Sequence, residues 1–163
     1  MSDDVHNAAH RDLVKALGDE IALKNIGDLG LESADWAEAV DRCASRFPDV
    51  PRDEAFRQVG RLIGQRYLSS GPGKLVAQSL QLVERERLFS MVIPAMANRL
   101  RTGFEWKWEP SGNGGVVRVV GKRVTPTTTT LGFFETMVEV IGPDVHIRLG
   151  KDTPDDFEMI ISW

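Results

Sequence analysis

Two arginines and two tryptophans lie close together where the sequence changes from helical to strand-like periodicity. They are Arg99, Arg101, Trp106 and Trp108, within the segment Asn98–Trp108. A guanidinium fork binds carboxylate or phosphate, and an indole ring supplies a stacking surface. The segment is therefore predicted to bind an anionic or apolar organic molecule. In the alternative interpretation, the arginines pair with local groups and both tryptophans share the buried face of a strand, because strand residues two apart point the same way.

The other residues that could do chemistry do not form complete sets. His6 and His10 have the helical spacing of two metal ligands, but a third ligand is missing nearby, so we expect no metal site. Cys43 lies on an apolar helix stripe, where packing is expected and acylation by a lipid is the alternative. The threonines at 127–130 could bind an anion, although helix capping explains the same residues more simply. We therefore predict no catalytic residue and no cofactor, and a binding module rather than an enzyme.

The net charge of −4 is unevenly distributed along the 163 residues. Residues 1–50 carry a net charge of −6, residues 51–110 carry +4 and residues 111–163 carry −2. The basic residues of the middle third are spread over several segments and interrupted by acidic ones. A nucleic-acid-binding face is usually a clustered basic patch, so we expect no nucleic-acid partner.

Several features predict a cytoplasmic location. No apolar run approaches the roughly 18 residues that a membrane-spanning helix needs, so we expect no membrane span. The acidic first residues are unlike a secretory signal peptide. The single cysteine cannot form an internal disulfide, which fits a reducing compartment.

Apolar residues recur at helical spacing through the first two-thirds of the chain. The predicted helices cover 4–17, 33–47, 51–70, 74–85 and 87–100, and Pro94 is expected to kink or end the last one. Gly60 and Gly64 lie four residues apart in the third helix, where each glycine costs about 1 kcal/mol relative to alanine. That cost predicts close approach by another helix, from this chain or from a second copy. Gly60, Gly64 and Tyr67 are therefore candidate interface residues for a homodimer through helices.

The last third alternates between polar and apolar residues, as half-buried strands do. Strands are predicted at Phe104–Glu109, Val116–Val124, Val145–Leu149 and Phe157–Trp163, with a helix from the Thr125-Pro126 pair to Ile141 between the two hairpins. The predicted fold class is α+β: an N-terminal helical bundle packed on a four-stranded antiparallel sheet. We expect a single domain over 1–163, with 1–46 as a helical extension of a core at 47–163.

From Phe47 onward the chain resembles a largely myxobacterial family known only as a domain of unknown function. The resemblance rests on the order and spacing of Phe47–Ala55, Gly60–Arg61, Tyr67, Arg99–Gly103, Gly132–Glu135 and Phe157–Trp163. The order of elements is also similar to a wider superfamily of four-vinyl-reductase ligand-binding domains, transport-protein-particle tethering subunits and haem nitric-oxide sensors. That similarity implies binding of a small hydrophobic molecule or a partner protein. No histidine lies between His10 and His146, so the middle helices carry no histidine for haem.

The sequence therefore favours a non-enzymatic cytoplasmic binding or signalling module for a small hydrophobic or anionic ligand or a partner protein. The alternative is a small-molecule enzyme or carrier with an apolar pocket, in which Arg99 and Arg101 anchor an anion.

Overall fold

The computed structural model describes residues 34–100, 104–123 and 125–163, without the side chains of 34–36, 72 and 95–100. Five helices and four strands lie in this part of the chain. They are α1 (Ala34–Ala44), α2 (Arg52–Ser69), α3 (Gly71–Leu82), α4 (Arg85–Leu100), β1 (Glu105–Pro110), β2 (Gly114–Val120), α5 (Thr127–Ile141), β3 (His146–Asp152) and β4 (Asp156–Ser162). The predicted α+β fold is confirmed. The helix predicted over 4–17 lies outside the described residues.

The four strands form one antiparallel sheet in the order β1-β2-β4-β3. Its buried face is built from cross-strand rows, one of which runs through Trp108, Val117, Met159 and Leu149. Helices α4 and α5 pack against this face through Phe89, Ile93, Phe134 and Val138. The alternation seen in the sequence therefore does place apolar side chains on one side of the sheet, as the strand period of two requires.

A second group of buried residues joins α1 to α2. This α1–α2 cluster consists of Val40, Cys43, Ala44, Ala55, Phe56, Val59 and Leu62. Cys43 is buried within it, as the apolar stripe of α1 predicts.

Helices α2 and α5 approach each other closely at glycines. A Cβ atom at Gly60 would lie 1.9 Å from the carbonyl oxygen of Thr129, and one at Gly132 would lie 1.9 Å from the carbonyl oxygen of Arg57. Gly64 faces Thr136 of α5 in the same way, at 2.8 Å. The close approach predicted at Gly60 and Gly64 is thus made within the chain. A homodimer through helices stays a prediction.

Some element boundaries differ from those predicted. Helix α3 begins at Gly71 rather than Lys74, because the Ser70 hydroxyl accepts a hydrogen bond from the Gly73 N–H at 3.1 Å and caps the helix. Pro94 does not end α4, which continues to Leu100 with Ile93 buried in the core. Strand β2 ends at Val120, four residues before the predicted Val124. None of the described helices is long and apolar enough to cross a membrane.

Candidate functional site

Three aromatic rings stack where α4 lies along the start of the sheet. The Phe89 ring centroid is 5.2 Å from that of Trp108 and 5.5 Å from that of Trp163, with interplanar angles of 28° and 11°. Phe89 belongs to the first turns of α4, Trp108 to β1, and Trp163 follows β4. With Trp106, also on β1, these residues form what we call the α4–β1 seam.

A second series of rings leads from the seam into the helical layer. Trp106 lies 5.6 Å from Phe134 of α5, which is 5.7 Å from Phe133. Phe133 in turn lies 6.3 Å from Tyr67 of α2. Aromatic contacts therefore connect β1 to α5 and, through Phe133, to α2. A shift of the Trp106 ring would be passed to both helices through these contacts.

The local sequence explains why Trp108 lies flat across the neighbouring strand. Gly115 of β2 is paired with Pro110 of β1 and has no side chain to occupy the space beside it. A Cβ atom at Gly115 would lie 2.5 Å from Cη2 of Trp108. The glycine therefore makes room for the indole ring, which stacks on Phe89. Such ring pairs are worth about 0.5–1.5 kcal/mol beyond their buried area.

Two of the three indole N–H groups of the seam have no hydrogen-bond partner in the part of the chain that the structure describes. Nε1 of Trp106 and Nε1 of Trp108 are both buried, and neither has a partner among the described residues. A buried donor left unsatisfied costs about 1–3 kcal/mol. Because the two residues lie two apart on one strand, they share a face, with their backbones about 7 Å apart. The seam thus presents two donors that an acceptor could satisfy.

Two threonine hydroxyls, those of Thr128 and Thr129 in the first turn of α5, are also buried and have no partner among the residues that the structure describes. A hydroxyl hydrogen rotates about a single bond and carries two acceptor lone pairs, so it adapts easily. An indole N–H points along a direction that the ring fixes, and stacking fixes the ring. The tryptophan donors are therefore the stronger indication of a ligand.

Trp106 and Trp108 share the face of β1 that packs against the core, as the alternative interpretation of the sequence predicts, and their role as ligand-binding residues stays a prediction. Arg99 lies in the last turn of α4, one residue before its end, and its side chain lies outside the described residues. Arg101 belongs to 101–103, which also lie outside them. His6 and His10 fall in the undescribed first part of the chain. Sequence reasoning missed Phe89 and Trp163 as members of the site, because neither is near Trp108 in sequence.

A second polar arrangement was not anticipated from the sequence. The carboxylate of Glu135, which is 9% exposed, accepts hydrogen bonds from Arg57 Nε at 2.9 Å to each oxygen and from Arg61 at 3.2 Å. Arg61 also contacts Glu139 at 2.6 Å. The hydrogen bond to Glu135 raises the pKa of Arg57 above its usual value. This network joins α2 to α5 with its charges matched, so it stabilises the crossing and leaves little to bind a ligand.

Comparison with known proteins gives a family and a fold. The model of DUF2378, described as a protein of unknown function, matches residues 11–163. The match begins well before Phe47, where the resemblance seen in the sequence starts. No curated protein matches the chain.

Several solved structures similar to this chain are H-NOX domains. A doubly substituted H-NOX domain aligns with this chain at a TM-score of 0.58 and 16% identity. The alignment covers 98% of this chain and 93% of that domain. An oxygen-binding H-NOX domain related to soluble guanylate cyclases has a TM-score of 0.57 at 15% identity, covering 99% and 94%. An H-NOX domain of Shewanella oneidensis in an Fe(II)CO state has a TM-score of 0.54 at 12% identity, covering 79% and 74%. At these identities the similarity establishes the fold alone.

The H-NOX fold raises the question of haem, whose iron needs an axial ligand such as histidine. The only histidine in the described part of the chain, His146, is exposed on the edge strand β3. Cys43 is buried in the α1–α2 cluster, among residues of those two helices. The described residues also contain no group of three His, Cys, Asp or Glu side chains that could hold a metal ion. Among the described residues, the structure therefore places no histidine or cysteine at the seam to serve as an axial ligand for haem iron.

Proposed function

The chain belongs to the DUF2378 family of proteins of unknown function, and we propose that it is a non-enzymatic ligand-binding signalling module. Its ligand is a small, largely apolar molecule that carries hydrogen-bond acceptors and binds at the α4–β1 seam. The observation that carries this proposal is the pair of buried indole donors at Trp106 and Trp108 without partners among the described residues.

The chemistry of the seam supports that ligand class. Binding sites for small molecules combine apolar and aromatic walls with a few polar groups that fix orientation. The seam offers four aromatic side chains, and two of its three indole N–H donors, those of Trp106 and Trp108, are buried without a described partner. An acceptor that reaches either donor would recover the free energy that burial of that donor costs, so the bound state is favoured without any chemical step.

Arg99 and Arg101 support an acidic ligand. Arg99 is the next-to-last residue of α4, and Arg101 follows the end of α4 by one residue in the sequence, so the two precede Trp106 by seven and five residues. A charge-assisted hydrogen bond contributes about 1.5–3 kcal/mol. We therefore expect Arg101→Ala to weaken binding of an anionic ligand at least about tenfold, and binding of a neutral one much less.

The position of the seam supports a signalling role. It joins α4 to the sheet, and the ring series from Trp106 to Tyr67 continues into α5 and α2. A ligand that orders these rings can alter helix surfaces away from the site. Three expectations from the sequence agree with this role and remain part of the proposal. They are the similarity to ligand-binding and tethering domains, the membership of a largely myxobacterial family, and the cytoplasmic location.

The proposal is tested by native mass spectrometry of the full chain purified without denaturant. We expect a mass above that of the 18.1 kDa chain, corresponding to one small molecule, which organic solvent removes. The double variant Trp106→Phe/Trp108→Phe keeps aromatic rings but loses both N–H donors, and we expect it to lose the added mass. Trp163→Phe is the matched control, because Trp163 stacks on Phe89 and its indole nitrogen is not one of the buried donors without a described partner.

The fate of the ligand separates a binding module from the alternative of an enzyme or carrier. A recovered ligand that stays chemically unchanged during prolonged incubation with the extracted protein supports binding alone. Conversion of that ligand would establish an enzyme instead. Equal loading of the wild type and the double variant would show that the indole donors do not hold the ligand.

A further inference from the structure

Helix α3 has apolar side chains on two opposite sides. Leu80 and Gly73 are buried against the rest of the fold, whereas Leu75 is 66% and Leu82 is 85% exposed. Residues seven apart lie on the same helix face, so Leu75 and Leu82 form one apolar stripe about 10 Å long. Two large apolar side chains that are exposed on one helix face can form the centre of a small interaction surface.

The middle of the stripe allows close contact. Ser79 lies between the two leucines and is exposed, and its hydroxyl donates a hydrogen bond to the Leu75 carbonyl oxygen at 2.9 Å. Its only polar side-chain group is thereby satisfied within its own helix. A second helix can therefore approach at Ser79 without leaving an unpaired group.

Opposite charges flank the stripe at its two ends. Lys74 precedes Leu75 in the first turn, and Glu84 follows Leu82 just beyond the end of the helix. Both are exposed, and neither forms an ion pair within the described residues. Along α3 the order is therefore basic, leucine, leucine, acidic.

We propose that this face of α3 binds the same face of a second copy of the chain in an antiparallel arrangement. A twofold axis between Gln78 and Ser79 places Leu75 of each copy against Leu82 of the other. The same axis places Lys74 of each copy within reach of Glu84 of the other, which forms two equivalent ion pairs. A surface whose order of groups complements itself when reversed fits a twofold partner better than an unrelated protein.

This surface differs from the contact at Gly60 and Gly64, which α5 occupies within the chain. The surface also does not include the α4–β1 seam, so the dimer proposal does not depend on the ligand proposal. Two helices of this length bury less than the roughly 800 Å² per partner of a standard stable interface. The dimer is therefore expected to be weak and dependent on concentration.

Sedimentation equilibrium of the full chain over a concentration series tests the apolar contact. We expect the average mass to rise from 18.1 kDa toward twice that value. Leu82→Lys should raise the dissociation constant at least about tenfold, because it removes a buried leucine from both halves of the interface. Val120→Lys is the control: Val120 is 39% exposed on the sheet, and its variant should associate like the wild type. Circular dichroism verifies that both variants remain folded.

Charge reversal tests the antiparallel geometry. Lys74→Glu should weaken association, because it places two acidic residues together at each end of the stripe. Lys74→Glu/Glu84→Lys restores both pairs in the antiparallel dimer and should recover association close to that of the wild type. A wild type that stays monomeric up to about 1 mM, unchanged association of Leu82→Lys, or a double variant no better than Lys74→Glu would each overturn the proposal.

Discussion

The α2–α5 crossing and the α4–β1 seam both attach a helix to the rest of the fold, but they treat buried polar groups in opposite ways. At the crossing, glycines bring two backbones into contact and the buried Glu135 carboxylate is matched by Arg57 and Arg61. At the seam, large rings fill the space and the indole donors of Trp106 and Trp108 have no described partner.

This difference separates a contact made for stability from one suited to binding. A closely packed contact with matched charges has nothing to gain from a further molecule. A contact with unsatisfied, directionally fixed donors has free energy available that an incoming acceptor can recover. Substitutions at the crossing should therefore change stability, whereas substitutions of the seam donors should change mainly what the protein binds.

The largest effect is expected at the crossing itself. Gly60→Ala places a methyl group 1.9 Å from the Thr129 carbonyl oxygen, so the two helices must move apart. We expect a loss of about 3 kcal/mol or more in the free energy of unfolding, measured by urea denaturation. Gly71→Ala is the control, because nothing lies within 4 Å of its added Cβ, and it should change stability by less than about 0.5 kcal/mol. Equal losses in the free energy of unfolding for the two variants would show that the close α2–α5 contact at Gly60 does not stabilise the fold.

A smaller effect is expected from the ion-pair network. Glu135→Gln keeps the size of the side chain but removes the buried charge that Arg57 and Arg61 share, and we expect a loss of about 2 kcal/mol. Glu139→Gln breaks a pair whose carboxylate is 55% exposed and should cost less than about 1 kcal/mol. If the Glu139 variant were the less stable of the two, the matched charge at Glu135 would not be what holds the crossing.

The smallest effect concerns how α4, the helix of the seam, is anchored. Arg85 hydrogen-bonds Asp144 and holds the pKa of that carboxyl below its usual 3.8. Its stabilising contribution is therefore present above pH 3.8 and disappears as the pH falls through the lowered pKa. Asp144→Asn should lower the urea midpoint slightly at pH 7 and not at all in strong acid. The control Asp155→Asn, at an exposed loop position, should show no such dependence; a constant difference at every pH would contradict the role of the ion pair.

Much of the fold follows from local sequence patterns. The alternation at Phe104–Glu109 predicts β1 and its buried face, and the spacing of Gly60 and Gly64 predicts a close helix contact. These features depend on the periods of strands and helices, which a short stretch of sequence contains. The start of α3 was missed because the capping role of Ser70 depends on the hydrogen bond to Gly73.

The candidate site is less accessible from sequence, because its contacts are non-local. Trp106 and Trp108 could be identified from one strand, but Phe89 and Trp163 join them only after the chain has folded. Likewise, Arg57 and Glu135 are 78 residues apart, and no local pattern pairs them. The absence of a partner for an indole N–H is a property of the packed core, so only the structure shows it.

The most direct test follows the indole N–H groups themselves. In protein with ¹⁵N-labelled tryptophan, the ¹⁵N–¹H spectrum reports each side-chain N–H before and after the co-purified ligand is extracted and returned, and Trp→Phe variants assign the signals. We predict that the signals of Trp106 and Trp108 move downfield when the ligand returns, as new hydrogen bonds form, while that of Trp163 moves much less. Ligand binding that leaves both signals in place would contradict the claim that these donors hold the ligand.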